Sequence, residues 1–384
     1  MRIDVGFSES RERPSLLDSR HWRGCFNGRE SSVQQLAPYV GKLKSGIARV
    51  LIQAYSDPGD TILDPFCGSG VVPFECALAG RRAWANDLSP YAYVLTRGKL
   101  EAPTRQQTAV KRAESIADRV EQEMAEMDVD SVPDWVREFF HHRTLREVLA
   151  AFRLLEHDKD SFLLSCLLGI LHHQRPGFLS YPASHLVPYL RSKKYPRSEY
   201  PDMYGYRDLR SRLLAKVLRA YRRPMLPENW EERQYKVWQA NAMSLPIEAG
   251  SVDAVVSSPP YFGALDYARD NRLRLWFLGC TNWKELDQAL TARRKTYLAD
   301  MEVCLREMHR VLRPSSHCVL VLGDVRRVAE TQRTAEMLAQ VAVKSTRGGF
   351  SVEGIHEDRV PDARRSRRHT RTTRVDRILV MRRR

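Results

Sequence analysis

An α/β fold with a Rossmann-like, doubly wound, mostly parallel sheet and a mostly helical insertion is what this sequence predicts, on three observations. Residues 36–102 read as strand, glycine-containing loop, helix and second strand, the seed unit of such a sheet. The α/β pattern then gives way to helical periodicity over 103–235 and resumes near Lys236. Asp64, Asp87 and Ser258 each stand at the end of a short apolar run, where an open α/β sheet presents its ligand-facing loops.

The elements follow in order. Residues 1–35 are polar, lack a clear period at their start and read as an N-terminal arm. Ala48 to Tyr55 is a short amphipathic helix, Asp57-Pro58-Gly59-Asp60 a turn, and Thr61-Ile62-Leu63 a buried strand ending at Asp64. A helix is predicted from Val71 to Ala79 with Gly80 as its C-terminal cap; Arg81 to Ala85 opens a strand ending at Asn86-Asp87. Within 103–235, Gln106 to Met127, Trp135 to Glu156, Ser161 to His173 and Leu209 to Tyr221 are predicted helices, the first with alternating charges on its exposed face. A Pro-, Tyr- and Arg-rich stretch, Arg175 to Arg207, separates the last two. In the second α/β half, 236–384, Val252 to Val256 is a strand after the turn Glu248-Ala249-Gly250. Asp300 to Leu312 is a helix closed by Arg313-Pro314. Cys318 to Leu322 is a strand ending at Gly323-Asp324, and Arg377 to Met381 is a last one.

Composition narrows the function. With 43% hydrophobic and 28% charged residues the chain is a globular one. Its longest apolar stretches, such as Phe162 to Leu171, are too short to span a bilayer, and the N-terminus has no apolar signal core, so a cytoplasmic protein is expected. Seven cysteines without C-x-x-C spacing fit reduced thiols and no metal site. His141-His142 and His172-His173 lack partners for a metal and read as structural, and Trp276-Phe277-Leu278 as core. A net charge of +15 points to a polyanionic partner, because each neutralised phosphate releases counterions. The segment 364–377 concentrates that charge, in Arg364, Arg365, Arg367, Arg368, Arg371, Arg374 and Arg377.

Two motifs carry chemistry. Asp64-Pro65-Phe66-Cys67-Gly68-Ser69-Gly70 lies between the first strand and its helix, and its glycines let backbone approach a ligand. It has no phosphate-cradling lysine and does not read G-x-G-x-x-G. The acidic strand end suits a positively charged ligand, and Asp87 is placed to accept hydrogen bonds from ribose hydroxyls. In Ser258-Pro259-Pro260-Tyr261 two prolines lock φ and remove two amide donors, leaving carbonyl acceptors in a rigid loop. The exocyclic amine of cytosine or adenine is a poor nucleophile because its lone pair is delocalised into the ring. Acceptors on its two hydrogens, the Ser258 hydroxyl and the Pro259 carbonyl, favour the pyramidal geometry that can attack. Tyr261 would stack on the extruded base.

Together these residues resemble the amino-directed DNA methyltransferases, which make N4-methylcytosine and N6-methyladenine. Asp64 to Gly70 is similar to that family's cofactor motif, and Ser258-Pro259-Pro260-Tyr261 to its catalytic motif, in the serine form most frequent among N4-cytosine enzymes. Pro38-Tyr39-Val40-Gly41-Lys42 resembles the segment that closes over the methionine end of the cofactor, and Asn86-Asp87 the ribose position. Asn241-Ala242 stands where the family often has Gly-Asp against the adenine ring, a departure from the pattern. The resemblance covers about 36–100 and 236–325. It implies a class I methyltransferase fold, S-adenosylmethionine as cofactor, Tyr39, Lys42, Asn241 and Ala242 among the residues that hold it, base flipping, and double-stranded DNA as partner. It also implies no metal, since the electrophile is a sulfonium methyl.

The insertion falls where one family arrangement puts target recognition. There Arg191, Lys193, Lys194, Tyr195, Arg197, Tyr200, Tyr204, Tyr206 and Arg207 interleave cations with aromatics, a mixture that suits DNA contact or a solvated loop. Asp266-Tyr267 reads as lining the base pocket, with Asp270 and Arg272 as further candidates. C5-cytosine chemistry is disfavoured because no cysteine lies in the catalytic loop. N6-adenine methylation, an RNA N2-guanine methyltransferase and a catalytically silent nucleic-acid-binding protein are the alternatives. No nuclease is evident, which leaves a stand-alone modification enzyme or the partner of a separate restriction endonuclease.

Overall fold

The computed structural model describes residues 30–172, 178, 193–223, 226–261, 267–289, 296–323, 325–326, 331–359 and 375–384. Helix α1 (Ser45–Tyr55) precedes strand β1 (Thr61–Asp64), whose four residues are all buried. Such a strand must lie in the middle of a sheet covered on both faces. The strands that join it are β2 (Arg82–Asp87), β3 (Tyr235–Gln239), β4 (Val252–Ser257), β5 (Leu312–Gly323), β8 (Phe350–Arg359) and β9 (Val375–Arg383). They form a seven-stranded sheet in the order β3-β2-β1-β4-β5-β9-β8. Strands β1 to β5 run parallel; β9 is antiparallel to both β5 and β8. A short antiparallel pair, β6 (Val325–Arg326) and β7 (Thr331–Gln332), stands apart from it.

Side-chain alternation divides the core between two faces. Ile62, Ala254, Val256, Val319 and Val321 pack with α1 and with α2 (Val71–Leu78) and α3 (Pro90–Leu100). The residues after α3 build a helical layer on this first face. It comprises α4 (Gln106–Glu123), α5 (Asp134–Arg137), α6 (His142–His157), α7 (Ser161–Ile170) and α8 (Leu209–Ala220). Every residue of α7 is buried, and the helix is wedged against α3 and the segment before α1. Trp230 locks the return to the sheet: its Nε1 donates to the Ala102 carbonyl at 3.1 Å and its ring meets Phe74 edge-on at 5.3 Å.

Three short helices follow β4: α9 (Tyr267–Asp270), α10 (Arg272–Phe277) and α11 (Trp283–Ala289). On the second face Leu63, Val255, Cys318, Leu320 and Leu322 pack against α12 (Tyr297–Val311) and α13 (Thr334–Ser345). The period-two split between the faces is what strands covered on both sides require. None of the described helices is long and apolar enough to cross a membrane.

Several local expectations are corrected. The helix predicted from Trp135 to Glu156 is two, α5 and α6, because Phe139 and Phe140 turn into the core between them and the His141 ring caps the Arg143 amide at 3.3 Å. Helix α12 stops at Val311, and Arg313-Pro314 belongs to the start of β5 rather than to a helix cap. Pairing there jumps from Val252–Leu312 to Ala254–His317, a bulge that takes up the proline and Ser315, whose φ is 65°. Helices α3 and α13 and strand β8 lie outside the predicted elements. Strand β8 is an edge strand whose polar run Glu353 to Arg359 hides the apolar alternation expected of a buried one.

Candidate active site

The strand order reverses between β1 and β4, so their carboxyl ends diverge and leave a crevice, the place where an open α/β sheet takes its ligand. An open cleft of about 940 Å³ occupies it. Its floor is the loop after β1, with Asp64 to Ser69 all lining it; Asp87, Asn241, Ala242, Ser258 and Pro260 line it from neighbouring strand ends, and Tyr39 and Lys42 from before α1. Two predicted cofactor residues stand behind the cleft instead. Gly70, at φ 73°, caps α2 with its Cα face against Thr96, where an added Cβ would come within 2.8 Å of the Thr96 Cα. Asn86 is fully buried and ties the loops together through Nδ2, to Pro65 O at 3.2 Å and Ala240 O at 3.0 Å.

Hydrogen bonds between the strand ends hold the loop. Asp87 accepts from the Gly68 amide with one oxygen and from the Ser89 amide with the other, each at 2.9 Å. Asp64 accepts from the Ser257 hydroxyl at 2.6 Å and the Phe66 amide at 3.2 Å, which fastens β1 to the strand carrying Ser258. Burial pushes the Asp64 carboxyl up to about 7, against those two hydrogen bonds. It pushes Asp87 up to about 6, against the amides of Ser89 and Gly68. Burial likewise brings Lys42 down to about 8. Buried carboxyls raised by desolvation at strand ends that line a cleft are compatible with a ligand site.

Tyr39 walls the cleft between two other rings, stacked on Tyr91 at 5.9 Å and tilted against Tyr267 at 6.4 Å, with Tyr91 fixed by its hydroxyl on Pro38 O at 2.6 Å. A side chain at Gly68 would meet Tyr39 at 3.2 Å, so glycine keeps the cleft open there. The Ser69 hydroxyl is buried at the cleft with no hydrogen-bond partner among the described residues. An unsatisfied hydroxyl, two acidic strand ends, a lysine and an aromatic wall are a donor set that fits S-adenosylmethionine: a cation, ribose hydroxyls and a carboxylate.

Of the segment after β4, Ser258 and Pro260 line the cleft, whereas Pro259 and Tyr261 are not among its lining residues. Ser258 donates to the Val321 carbonyl of β5 at 3.1 Å, and its hydroxyl is also within hydrogen-bonding reach of Tyr261. Pro259 is buried and Pro260 half-buried. Tyr261 donates its hydroxyl to Asp376 of β9 at 3.1 Å. Tyr267, the first residue of α9, lines the cleft, as does Asn271; Asp266 lies outside the described residues. Asp270 is buried and is not among the cleft's lining residues, nor is Arg272, which opens α10. Tyr91, Asn271 and Asp376 escaped the sequence reading. No local pattern marks Tyr91 and Asp376, since each acts on a motif from a distant segment, and the Asn271 side chain bonds its own neighbours Tyr267 and Arg274.

The remaining predicted residues sit elsewhere. Lys193 and Lys194 are exposed; Tyr195 is half-buried and meets Tyr200 edge-on at 5.3 Å. Arg197 lies over Tyr204 at 4.6 Å and donates to Glu138 O at 3.0 Å, and Tyr206 donates to Glu147 at 2.6 Å. Several of these cations and rings thus bind one another and the helical layer, and none lines the cleft. Arg191, Arg364, Arg365, Arg367, Arg368 and Arg371 lie outside the described residues.

The strand order, with its antiparallel β9 next to β5, is that of the class I methyltransferases, and the cleft sits where they bind their methyl donor. Residues 36–132 match the family model described as UPF0020: RMKL-like, methyltransferase domain. Residues 36–132 are therefore similar to a methyltransferase domain, and S-adenosylmethionine is the cofactor that the fold and the cleft fit. No curated protein matches this chain. Among solved structures it is similar to TrmN from Thermus thermophilus (12% identity, 92% of this chain and 52% of that one, TM-score 0.36). It is similar to a SAM-dependent methyltransferase from Methanosarcina mazei (12% identity, 87% and 96% covered, TM-score 0.36). It also resembles a candidate DNA modification methylase, again from Thermus thermophilus, complexed with S-adenosyl-L-methionine (20% identity, 38% and 51% covered, TM-score 0.25). The chain spans about half the length of the first and the third. Likeness at these values says nothing of substrate.

Proposed function

We propose that this chain methylates the exocyclic amino nitrogen of a base in double-stranded DNA, with N4 of cytosine as the target. One observation carries the reading. The Ser258 hydroxyl lines the cofactor cleft, anchored by its donation to Val321 O and beside the Tyr261 hydroxyl, with an oxygen that can accept an amine hydrogen. The Pro259 carbonyl, in a loop that two prolines hold rigid, takes the second hydrogen, and the amine lone pair is released from the ring. Bound S-adenosylmethionine supplies a methyl activated by its sulfonium. Asp64 faces that positive charge, Asp87 the ribose, and Lys42 the carboxylate. Tyr261, tethered to Asp376, provides the ring for the extruded base. Exposed Lys193 and Lys194 meet phosphates outside the cleft.

The test is to incubate the purified protein with duplex DNA and labelled cofactor and identify the methylated nucleoside by mass spectrometry. N4-methylcytosine is expected. N6-methyladenine would move the target base, and label in RNA alone would overturn the reading.

The raised carboxyls predict opposed pH dependences. Protonated Asp64 and Asp87 neither face a cation nor accept fully from ribose, so cofactor affinity should rise with pH from 6 to 8, by about ten-fold. The free protein runs the other way. Its folded carboxyls hold protons more tightly than the unfolded chain, so their stabilisation is complete below about pH 4 and is lost as pH rises through about 6 and 7. Calorimetric titration of the cofactor and denaturant melts of the free protein at matched pH check both slopes; a pH-independent affinity would remove Asp64 from the cation's side.

A further inference from the structure

We infer that a second pocket, back to back with the cofactor cleft, seats a backbone phosphate of the nucleic-acid substrate; the inference rests on the proposed substrate and deepens it. The pocket is an open hollow of about 990 Å³ between the segment before α1 and the last turns of α8. Lys216, Arg219 and Arg222 line it, together with Lys42 at the wall shared with the cofactor cleft, and among the described residues no carboxylate does. Tyr39 and Lys42 belong to both hollows, so Tyr39 is their shared wall; its other neighbour is Tyr267, just beyond the catalytic loop.

The cations are short of counter-charge. Among the described residues none of Lys216, Arg219 and Arg222 is paired with a carboxylate, whereas Arg210, on the same helix, bonds both Asp118 and Glu121. Lys216 spends one donor on the Gln35 carbonyl at 2.7 Å and keeps two. Burial lowers Lys216 to about 8, and burial with the charge of Arg222 lowers Arg219. Glu30 lines an adjoining hollow with Lys42 and Arg222, and its charge acts on Lys42. A helix C-terminus would account for Arg219 alone, because that dipole acts only within the last turn. It does not bring Lys42 from another segment to the same cavity. Converging cations without a carboxylate partner among the described residues fit a dianionic or phosphodiester oxygen cluster, and phosphate contacts of this kind set the register of the substrate on an enzyme.

The test uses the full chain, a fluorescein-labelled DNA duplex and anisotropy at about 50 to 200 mM salt. The Arg219→Ala/Arg222→Ala variant should bind duplex about 10- to 100-fold more weakly at the higher salt, and the slope of log affinity against log salt should fall by about 2. KM for DNA should rise with kcat unchanged, and cofactor affinity should stay as in the wild type, which excludes misfolding. Arg219→Lys/Arg222→Lys should keep the slope. Wild-type affinity and slope in the alanine variant would overturn the seat and leave the proposed function standing. Wild type that binds and methylates no nucleic acid would overturn both. Preference for an RNA duplex, with the same loss of slope in the variant, would support the seat and change the substrate.

Discussion

Ser258→Ala is expected to lower kcat for methyl transfer by about 10²- to 10³-fold while leaving cofactor affinity unchanged, the range found when one preorganised hydrogen-bonding group of a reacting centre is removed. The hydroxyl is positioned twice over. Its oxygen sits at the end of β4, which Asp64 ties to β1 through Ser257, and its proton is held by Val321 on the next strand. Alanine removes the acceptor and leaves Val321 O, a single carbonyl, without that donor, so the loss falls on chemistry and not on the fold. Single-turnover rates beside cofactor titrations separate the two. A variant that keeps its kcat would show that the amine hydrogens are held elsewhere, and the proposed chemistry would fall with it.

Gly98→Ala should lower stability by about 3 kcal/mol, read as a drop in denaturant midpoint at unchanged slope. The added Cβ would lie 2.2 Å from the Ser165 Oγ and 2.5 Å from the Ser161 carbonyl. A hydroxyl could rotate away, but the second neighbour is backbone of α7, which is buried along its whole length and itself rests on Leu36 O at Gly169. No neighbour can give, so α3 and α7 must separate. Gly205→Ala is the contrast: at φ −63° and 3.6 Å from the nearest atom, an added methyl should change stability by less than about 0.5 kcal/mol. Equal effects from the two would mean that α7 packs less closely on α3 than the Gly98 contact requires.

Ser258 and Gly98 differ in how far the sequence makes them readable. The loop Asp64 to Gly70, its flanking strand and helix, and Ser258 to Tyr261 are runs of consecutive residues whose backbone needs are met locally: glycine at positive φ, proline without an amide, a carboxylate at a strand end. Local rules therefore found them. The tight seat of Gly98 on α7 has no such local mark, because the atoms it meets belong to Ser161 and Ser165. Local rules also misread the helix break at Phe139-Phe140 and the edge strand β8. Those were decided by what turns toward the core and by what neighbours the strand, and neither lies within a window of sequence.

By itself the sequence determined the class of fold and located the loop Asp64 to Gly70 and the segment Ser258 to Tyr261 at strand ends, because each is a short-range pattern with local backbone requirements. Tertiary structure alone decided which residues complete the site. Tyr91 backs Tyr39 from a different helix, Asp376 reaches Tyr261 across 115 residues of chain, and Lys42 meets Arg219 on a helix at the far side of the insertion. A sheet whose order reverses at β1 and β4 carries residues remote in sequence to one crevice, and side chains that meet only there leave no periodicity behind them.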